Sequence, residues 1–367
     1  MSISLDILVK NLKEKGHSVF VATPGVPDVN YPRYILPLPV LPLNIFKSVL
    51  EDVLFPVGYE ESMEKFFIRN NVEIIHSHET GVMFDAAQRI AKKMNIPHVH
   101  TYHTMLEEYV KVLHPLGYRK MARYISKRAC NYADIVIAPT EKINKYLQNI
   151  GVKKKIVTIL NIPNIDHLRK TEPDESTKKR LGIKDDDFVF LSFGRVVKQK
   201  SIDKSIDYLE PVLRKHKNAK FIIAGFGPSI SSLKEYVEEK DLEKQIILTG
   251  GYDKEELLRL ANISNCFVIT SKSETQGITV LEAMACGLPV LAIDDPAYDY
   301  ILEDGYNGYA LTEENFSRVA EELSKNNELA RKLSLNAMQS AQKLRQKDFT
   351  TDYIDVYQQV IDQANQK

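Results

Sequence analysis

Short apolar runs alternate with longer segments of helical periodicity along the whole 367-residue chain. This alternation is typical of βα units around a parallel sheet, so we expect an α/β protein. In the first half the predicted strands are Ser18–Thr23, Val72–His76, His98–Tyr102, Ile135–Ala138 and Lys155–Ile159. In the second half they are Phe188–Phe193, Lys220–Ala224, Ile246–Thr249, Cys266–Thr270 and Pro289–Ala292. The two halves share an architecture without any internal sequence repeat.

A polar segment without clear periodicity, residues 161–176, separates the halves and contains two prolines. Composition of this kind is typical of a linker. We therefore place one domain at residues 1–164 and a second at residues 165–348, followed by a terminal segment, 349–367.

The net charge of zero hides an asymmetry, since residues 1–170 carry an excess of seven positive charges and the remainder an excess of seven negative ones. Two domains with different partners fit this distribution. The excess is too mild for nucleic-acid binding, and no interleaved aromatic and basic motif supports that partner. Three widely separated cysteines, the lack of a membrane-spanning apolar stretch and the lack of a signal peptide predict a cytoplasmic protein.

Two glutamates, Glu274 and Glu282, flank the predicted start of a helix. Glu282 is the sole charged residue of the apolar run Ile278–Cys286, so its burial requires a partner. Ligand hydroxyl groups would suit both carboxylates, and Gly277 would let a phosphate approach the backbone N–H groups of the helix start. That order suits a nucleotide sugar. A core helix whose Glu282 pairs with a neighbouring lysine or arginine fits the segment equally well.

A second group of candidates follows the buried strand Phe188–Phe193, which ends in Gly194 and Arg195 with Lys200 shortly after. Phosphates bind where glycine turns and basic side chains meet at the carboxyl edge of a parallel sheet. Arg195 could hold two phosphate oxygens, and Lys200 could add a point charge.

The next predicted strand ends in Gly225-Phe226-Gly227-Pro228. Two glycines around one residue let the backbone pass close to a ligand. The third glycine of a dinucleotide-binding fingerprint is missing, so a plain tight turn is the simpler interpretation.

Histidines cluster at two strand ends of the first half, in Ile75–Glu79 and in His98–Thr104. They lack a closed set of metal ligands with carboxylates, so we expect no metal site. Hydrogen bonds to substrate hydroxyls, to phosphate oxygens or to neighbouring backbone fit them better.

The stretch Lys111–Arg128 contains six basic residues and no acidic one. Arg119, Arg123 and Lys127 recur every four residues and share one helical face, next to Lys120. The apolar residues assigned to the opposite side are Met121, Ala122, Ile125 and Ala129. Such a helix suits an anionic membrane surface, although a solvated face of a packed helix has the same pattern.

Together these motifs resemble the retaining glycosyltransferases of family 4, which have the GT-B fold of two Rossmann-like domains facing across a cleft. The segments that carry the resemblance are His100–Thr104, Phe193–Arg195 with Lys200, Gly225–Pro228, and Ser273–Gly277 followed by Glu282. The match runs over nearly the whole chain. Within the family, His103–Tyr109 and Glu274–Gly277 are most similar to bacterial diacylglycerol glycosyltransferases.

The resemblance implies a role for each candidate residue. Arg195 and Lys200 would hold the donor diphosphate, with Gly194 in the adjoining turn and the N–H groups around Gly277, Ile278 and Thr279 at the helix start. Glu282 would bind the ribose, and Glu274 and His103 would contact the donor sugar. Gly225 and Gly227 would let the backbone pass close to the nucleotide. The segment 349–367 would pack back toward the first domain.

The family opens with a strand and a glycine-rich loop, whereas Ser2–Lys15 matches only the helix that follows them. We therefore expect the first strand of the first domain to be missing, which would leave the acceptor side of the cleft incomplete. Pro163–Asp166 resembles the family's linker motif but lacks its glycine.

The expected function is the retaining transfer of a hexose, in the first instance glucose, from a UDP-sugar to a lipid acceptor such as diacylglycerol or its glycoside. No cofactor or metal is expected, since the chain has no Asp-x-Asp motif at a strand end. The protein would lie peripherally on the inner face of the cell membrane. Two alternatives stay open: a transferase for a soluble or polysaccharide acceptor, and a nucleotide-binding chain without activity.

Overall fold

The computed structural model of the protein describes residues 2–25, 29–41, 55–56, 59–78, 80–110, 118–161 and 165–366. The chain divides into two compact units, one of residues 1–162 with 348–367 and one of residues 163–347. The sequence placed these boundaries after residues 164 and 348. Of the sequence motifs, Glu79, Lys111 and Pro163-Asn164 lie outside the described residues.

The first unit alternates strands and helices from its start. Its elements are α1 (Ser2–Glu14), β1 (Val21–Pro24), β2 (Ile35–Leu38), β3 (Val40–Leu41), β4 (Phe55–Pro56), α2 (Glu60–Arg69), β5 (Ile75–Ser77), α3 (Val82–Met94), β6 (His98–Thr101), α4 (Leu106–Val110), α5 (Tyr118–Tyr132), β7 (Ile135–Ala138), α6 (Glu141–Asn149) and β8 (Lys155–Thr158). Strands β5, β6, β7 and β8 form a parallel sheet in that order, and β1 pairs in parallel with β2.

The second unit continues the alternation. Its elements are α7 (Glu175–Leu181), β9 (Phe188–Phe193), α8 (Ile202–Lys215), β10 (Ala219–Ala224), α9 (Ile230–Glu239), β11 (Ile246–Gly250), α10 (Lys254–Asn262), β12 (Cys266–Ile269), α11 (Ile278–Ala285), β13 (Val290–Ile293), β14 (Gly308–Leu311), α12 (Glu313–Lys325) and α13 (Asn327–Arg345). The chain then returns to the first unit with α14 (Phe349–Asn365).

A six-stranded parallel sheet organises the second unit, in the order β11-β10-β9-β12-β13-β14. Side chains alternate across its central strand: Leu191 packs into the core on one face and Phe190 into the core on the other. All six residues of β9 are buried, as expected for a strand covered by helices on both faces. The residues that follow β9 are therefore held by a rigid base.

The C-terminal helix α14 packs against the rest of the first unit, and polar contacts join them. Asn11 donates a hydrogen bond to the Thr350 hydroxyl at 3.1 Å, and Lys15 forms an ion pair with Asp348 at 2.7 Å. Tyr357, deep in the same helix, lies 2.7 Å from Nδ1 of His76 on β5. The first unit is thus built from both ends of the chain.

A search of the described helices finds none that combines the length and the apolar character required to cross a membrane.

Candidate nucleotide-sugar site

The order of the six-stranded sheet reverses between β9 and β12. After β9 the chain moves outward to β10 and β11, and it then returns to the other side of β9 as β12. The carboxyl ends of two adjacent strands with diverging connections leave a crevice between them, and ligands of open α/β sheets bind there. Arg195 and Lys200 follow β9, and Glu274 and Gly277 follow β12. The topology thus brings these four candidates to one edge of the sheet.

Side-chain hydroxyls join the two loops at this edge. Thr270 donates to the carbonyl oxygen of Ser201 at 2.7 Å, and Ser271 and Ser273 donate to that of Gln199 at 3.2 and 2.8 Å. We call these three hydrogen bonds the hydroxyl clamp. Because each hydroxyl satisfies a loop carbonyl, the clamp fixes the loop after β9 against the loop after β12.

The clamp holds Lys200 and Glu274 against each other. Lys200 lies in a single 3₁₀ turn, Lys198–Lys200, and its Nζ lies 2.5 Å from Oε1 of Glu274. The Lys200 side chain is 35% exposed and that of Glu274 is 10% exposed. A cation and a carboxylate are therefore both positioned at the crevice, with the lysine on the solvent side. Arg195 is exposed one residue after the Gly194 turn.

Helix α11 begins beside this pair at Gly277, whose φ of +69° favours glycine. A Cβ atom there would lie 2.6 Å from Cε1 of Tyr298, a buried residue whose hydroxyl donates to the Ser271 carbonyl at 2.6 Å. The N-cap residue is Gly277 itself, which has no side chain to cap the N–H groups of the first turn, around Ile278 and Thr279. Such a helix start favours an anionic ligand.

Glu282 lies on the second turn of α11 and is largely buried. Burial raises the pKa of Glu282 to about 7. Among the described residues no lysine or arginine forms an ion pair with it. Tyr252 is one of its titratable neighbours: burial, and then the Glu282 charge, raise the pKa of Tyr252. The pairing with a basic side chain that the sequence left open is therefore not found in the described structure.

Glycine is required at positions 225 and 227 because two backbone segments of this chain pass close to each other there. A Cβ on Gly225 would lie 1.8 Å from the Gly194 carbonyl oxygen, and one on Gly227 would lie 2.3 Å from that of Val196. The loops after β9 and β10 therefore pack backbone against backbone. Phe226, between the two glycines, is 73% exposed.

The first unit collects five histidines on β5 and β6 and just after them. His103 lies 3.0 Å from His78, Nε2 to Nδ1, and the two rings stack. Burial lowers the pKa of His78 to about 4, and burial together with the neighbouring histidines holds the pKa of His103 well below its usual value. His103 is therefore a neutral hydrogen-bonding group at pH 7.

The other histidines are held by neighbouring hydroxyls. His76 lies 2.7 Å from both Tyr357 and Thr101, and Ser77 bridges His98 and His100 at 2.8 and 2.9 Å. No group of three or more metal-ligating side chains is arranged for a metal ion in the part of the chain that the structure describes.

Helix α5 carries the basic residues predicted to contact a membrane. Arg119 and Arg123 form ion pairs with Glu107 of α4, with shortest distances of 2.8 and 2.6 Å. Lys120 and Lys127 are exposed. The sequence did not indicate the glutamate, because it precedes the basic stretch and comes from another helix.

The apolar side of α5 differs from the sequence interpretation. Ala122 and Ala129 are buried as assigned, but Met121 is 57% and Ile125 is 40% exposed. Small residues form the packed side because they let the helix approach its domain closely. The larger apolar side chains, together with Tyr124, therefore project into solvent next to the basic ones.

Sequence reasoning missed the residues that support the candidate site. The three hydroxyls of the clamp and the ring of Tyr298 contact the loops rather than a ligand. The run Thr270-Ser271-Lys272-Ser273 directly after a buried strand was a signal for the clamp. No local sequence pattern indicates the contact of Tyr298 with Gly277, because Tyr298 follows β13 and is distant from Gly277 in sequence.

Replacing Gly277 with alanine should reduce stability more than the same change at Gly305. Both glycines have a φ near +70°, but a Cβ on Gly305 would meet its nearest atom only at 3.9 Å. The two variants therefore share the backbone strain, and only Gly277→Ala collides with Tyr298. We expect its free energy of unfolding, from urea denaturation, to be about 1–3 kcal/mol lower than that of Gly305→Ala. Equal losses would contradict the packing of Tyr298 on this glycine.

Burial of Glu282 should make stability depend on pH. Because the pKa of Glu282 is about 7 in the folded chain and 4.5 in its reference state, the folded protein keeps a proton that the unfolded chain loses. The resulting contribution is present below about pH 4.5 and is lost as the pH rises through 7. Glu282→Gln should therefore gain up to about 3 kcal/mol on wild type between pH 4.5 and 8.

Urea denaturation across this pH range measures the difference. The exposed Glu303, replaced by glutamine, is the matched control and should follow wild type. A difference between Glu282→Gln and wild type that does not change with pH would show that the carboxylate is solvated or paired.

Two family models match the chain, Glycosyltransferase Family 4 over residues 1–166 and Glycosyl transferases group 1 over residues 173–340. Alpha-monoglucosyldiacylglycerol synthase of Acholeplasma laidlawii is 29% identical over 98% of this chain and 94% of that protein. The protein of the same name in Streptococcus pneumoniae (strain ATCC BAA-255 / R6) is also 29% identical, over 83% of this chain and 70% of its own.

Among solved structures, sucrose-phosphate synthase from Thermosynechococcus elongatus matches with a TM-score of 0.78 at 18% identity, covering 98% of this chain and 92% of that one. This likeness and the two parallel sheets confirm the predicted α/β fold of two Rossmann-like domains, the GT-B fold. The family matches confirm the resemblance drawn from the motifs. The chain belongs to the glycosyltransferases, with a Family 4 first half and a group 1 second half.

Proposed function

We propose that this glycosyltransferase transfers glucose from UDP-glucose to a membrane lipid, diacylglycerol or a glycosyl-diacylglycerol, with retention of the anomeric configuration. The observation that carries the proposal is the placement of Lys200 and Glu274 side by side at the start of α11. A cation, a carboxylate and a helix start suit the diphosphate and the hydroxyls of a nucleotide sugar. The choice of a lipid acceptor and of glucose is based on the name that the two 29% identical relatives share.

Glycosyl transfer builds negative charge on the departing diphosphate, and the positive groups at the crevice would stabilise it. Arg195 can form paired hydrogen bonds to phosphate oxygens, Lys200 adds a point charge, and the first turn of α11 adds oriented N–H groups. These groups act where charge develops, which is the arrangement that lowers a barrier most. We propose that they replace a divalent metal ion.

The remaining candidates would position the sugar and the nucleoside. Glu274 would accept hydrogen bonds from hydroxyls of the hexose, and Glu282 from those of the ribose. Hydroxyl donors would stabilise the Glu282 carboxylate, which burial otherwise disfavours. His103, kept neutral by burial, would donate or accept a hydrogen bond near the reacting carbon without adding positive charge beside it.

In a retaining reaction of this class the acceptor hydroxyl attacks the face of the sugar that the diphosphate leaves. The bond from the anomeric carbon to the acceptor oxygen forms as the bond to the phosphate oxygen breaks. A phosphate oxygen of the leaving group can take the acceptor proton. The proposal therefore requires no nucleophilic side chain at the anomeric carbon.

The exposed surface of α5 supports a lipid acceptor. Met121, Tyr124 and Ile125 project into solvent beside the exposed Lys120 and Lys127. A helix that combines exposed apolar side chains with basic ones suits an interface of anionic lipid and water. We propose that α5 holds the protein peripherally on the inner face of the cell membrane.

Activity should appear when the protein is given UDP-glucose and vesicles that contain diacylglycerol and an anionic phospholipid. We expect a radiolabelled glycolipid on thin-layer chromatography, unchanged by EDTA. We also expect at least a hundredfold loss in Lys200→Ala and in Glu274→Ala, because each removes a charged contact used in the transition state. Lys272→Ala, an exposed lysine of the same loop, is the control.

A panel of UDP- and GDP-sugars and of soluble sugar acceptors accompanies this assay. Product on a soluble acceptor, with vesicles inert, would move the function to the soluble alternative. Absence of product from every pair, with nucleotide still bound, would favour the alternative of a binding chain without activity.

Membrane binding should depend on the apolar side chains of α5. Met121→Asp with Ile125→Asp places two charges where apolar contact with lipid is proposed, so we expect vesicle binding in a sedimentation assay to weaken about tenfold or more. Leu335→Asp is the matched control, because Leu335 is 47% exposed on a helix of the second unit. An equal loss in both variants, or none in either, would contradict the role of α5.

Lys120→Glu and Lys127→Glu test the charge contribution. They leave intact the arginines that Glu107 binds. Their effect should be confined to vesicles with anionic lipid and should fade as salt is added.

A further inference from the structure

We propose that the ion pair between Lys200 and Glu274 makes the donor site discriminate between a sugar nucleotide and a free nucleoside diphosphate. Glu274 keeps Lys200 paired when the diphosphate carries no hexose. It releases Lys200 when hexose hydroxyls donate hydrogen bonds to the carboxylate. The coupling favours loading of the donor and departure of the spent nucleotide. This inference rests on the proposed function.

The pair is part of the built structure of the crevice. Nζ of Lys200 lies 2.5 Å from Oε1 of Glu274, and Glu274 is buried. The hydroxyl clamp fixes the backbone on either side: Ser271 and Ser273 hold the carbonyl of Gln199, the residue before Lys200. Because the loops are tied together next to both side chains, the ion pair is held in place by more than its own attraction.

Each partner is assigned to a different part of one ligand. Lys200 is proposed to hold the diphosphate, and Glu274 the hexose hydroxyls that extend from it. A sugar nucleotide supplies both contacts at once, so hydroxyl donors compensate Glu274 while the phosphates take over Lys200. The exchange replaces one ion pair with two sets of charge-assisted hydrogen bonds.

A free nucleoside diphosphate can supply only one of these contacts. It brings negative charge to Lys200, which is already paired with the Glu274 carboxylate, and it has no hexose hydroxyl to donate to that carboxylate. It must either displace a buried anion from its cation or bind beside it against like-charge repulsion. After transfer, the departing nucleotide is in this position, and its affinity falls when the glucosyl group leaves.

A purely structural ion pair would behave differently. Its removal would lower the melting temperature and leave the affinity for a free diphosphate unchanged or weaker. The proposed coupling predicts the opposite sign for that affinity, because neutralising Glu274 releases Lys200. The sign of the change in affinity therefore separates the two roles.

The test is isothermal titration calorimetry of UDP and of UDP-glucose with the full chain. Glu274→Gln keeps the shape of the side chain and removes its charge. We expect it to bind UDP about fivefold more tightly than wild type, the effect of one partly exposed ion pair, and to bind UDP-glucose no more tightly. In a Lys200→Met background the same change has no lysine to release, so the gain in affinity for UDP should be smaller than in wild type, which completes a double-mutant cycle.

Glu313→Gln is the control for a general change in charge. Glu313 forms an exposed ion pair with Lys272 of the same loop at 3.7 Å, with side chains 62% and 60% exposed. The Glu313→Gln variant should bind UDP with an affinity within twofold of that of wild type. An equal rise in Glu313→Gln would overturn the proposal by showing that net charge alone controls binding.

Two further outcomes are distinguishable. Unchanged or weaker UDP binding by Glu274→Gln, with UDP binding normally to wild type, would overturn the coupling and leave the proposed function intact. Failure of wild type and variant to bind UDP, GDP or ADP would overturn the proposed function, and the coupling with it.

Discussion

The hydroxyl clamp is the constraint on which the proposed nucleotide-sugar site depends. Parallel strands β9 and β12 lie side by side, but their connections diverge, and that divergence alone would leave two independent loops. Three hydrogen bonds from Thr270, Ser271 and Ser273 join these loops and set Lys200 against Glu274. The start of α11 is fixed from the same loop, because Tyr298 bonds the Ser271 carbonyl and packs on Gly277. One small set of contacts thus positions the cation, the carboxylate and the helix start.

Burial controls the protonation of the groups around the proposed chemistry. In the second unit it raises the pKa of Glu282 to about 7, and in the first it holds the pKa of His103 low. Burial disfavours the charged form in both cases, so without ligand at pH 7 His103 is neutral and Glu282 is about half protonated. A sugar nucleotide would restore the charge of the carboxylate through its hydroxyls, whereas the histidine would stay uncharged beside the oxocarbenium-like carbon.

The sequence was sufficient where a local pattern determines the structure. Apolar runs located β9, β10 and β12, and Gly277 before the apolar run Ile278–Cys286 located the start of α11. It failed where the contact comes from elsewhere in the chain: Glu107 lies on another helix than the arginines it binds, and Tyr298 reaches Gly277 across the fold. Strands β2 and β14 were also missed, because their short runs contain proline or glycine. Periodicity on α5 did not show that only small residues would form the packed side.

The most direct test of the account is the NMR spectrum of the product formed from UDP-[1-13C]glucose and vesicles of diacylglycerol with anionic phospholipid. Transfer with retention predicts a lipid-extractable signal of an α-linked anomeric carbon that increases as the donor signal decreases. A β-linked signal would contradict the retaining reaction. Labelled glucose that remains on UDP, or that appears only in the aqueous phase as free sugar, would contradict transfer to lipid.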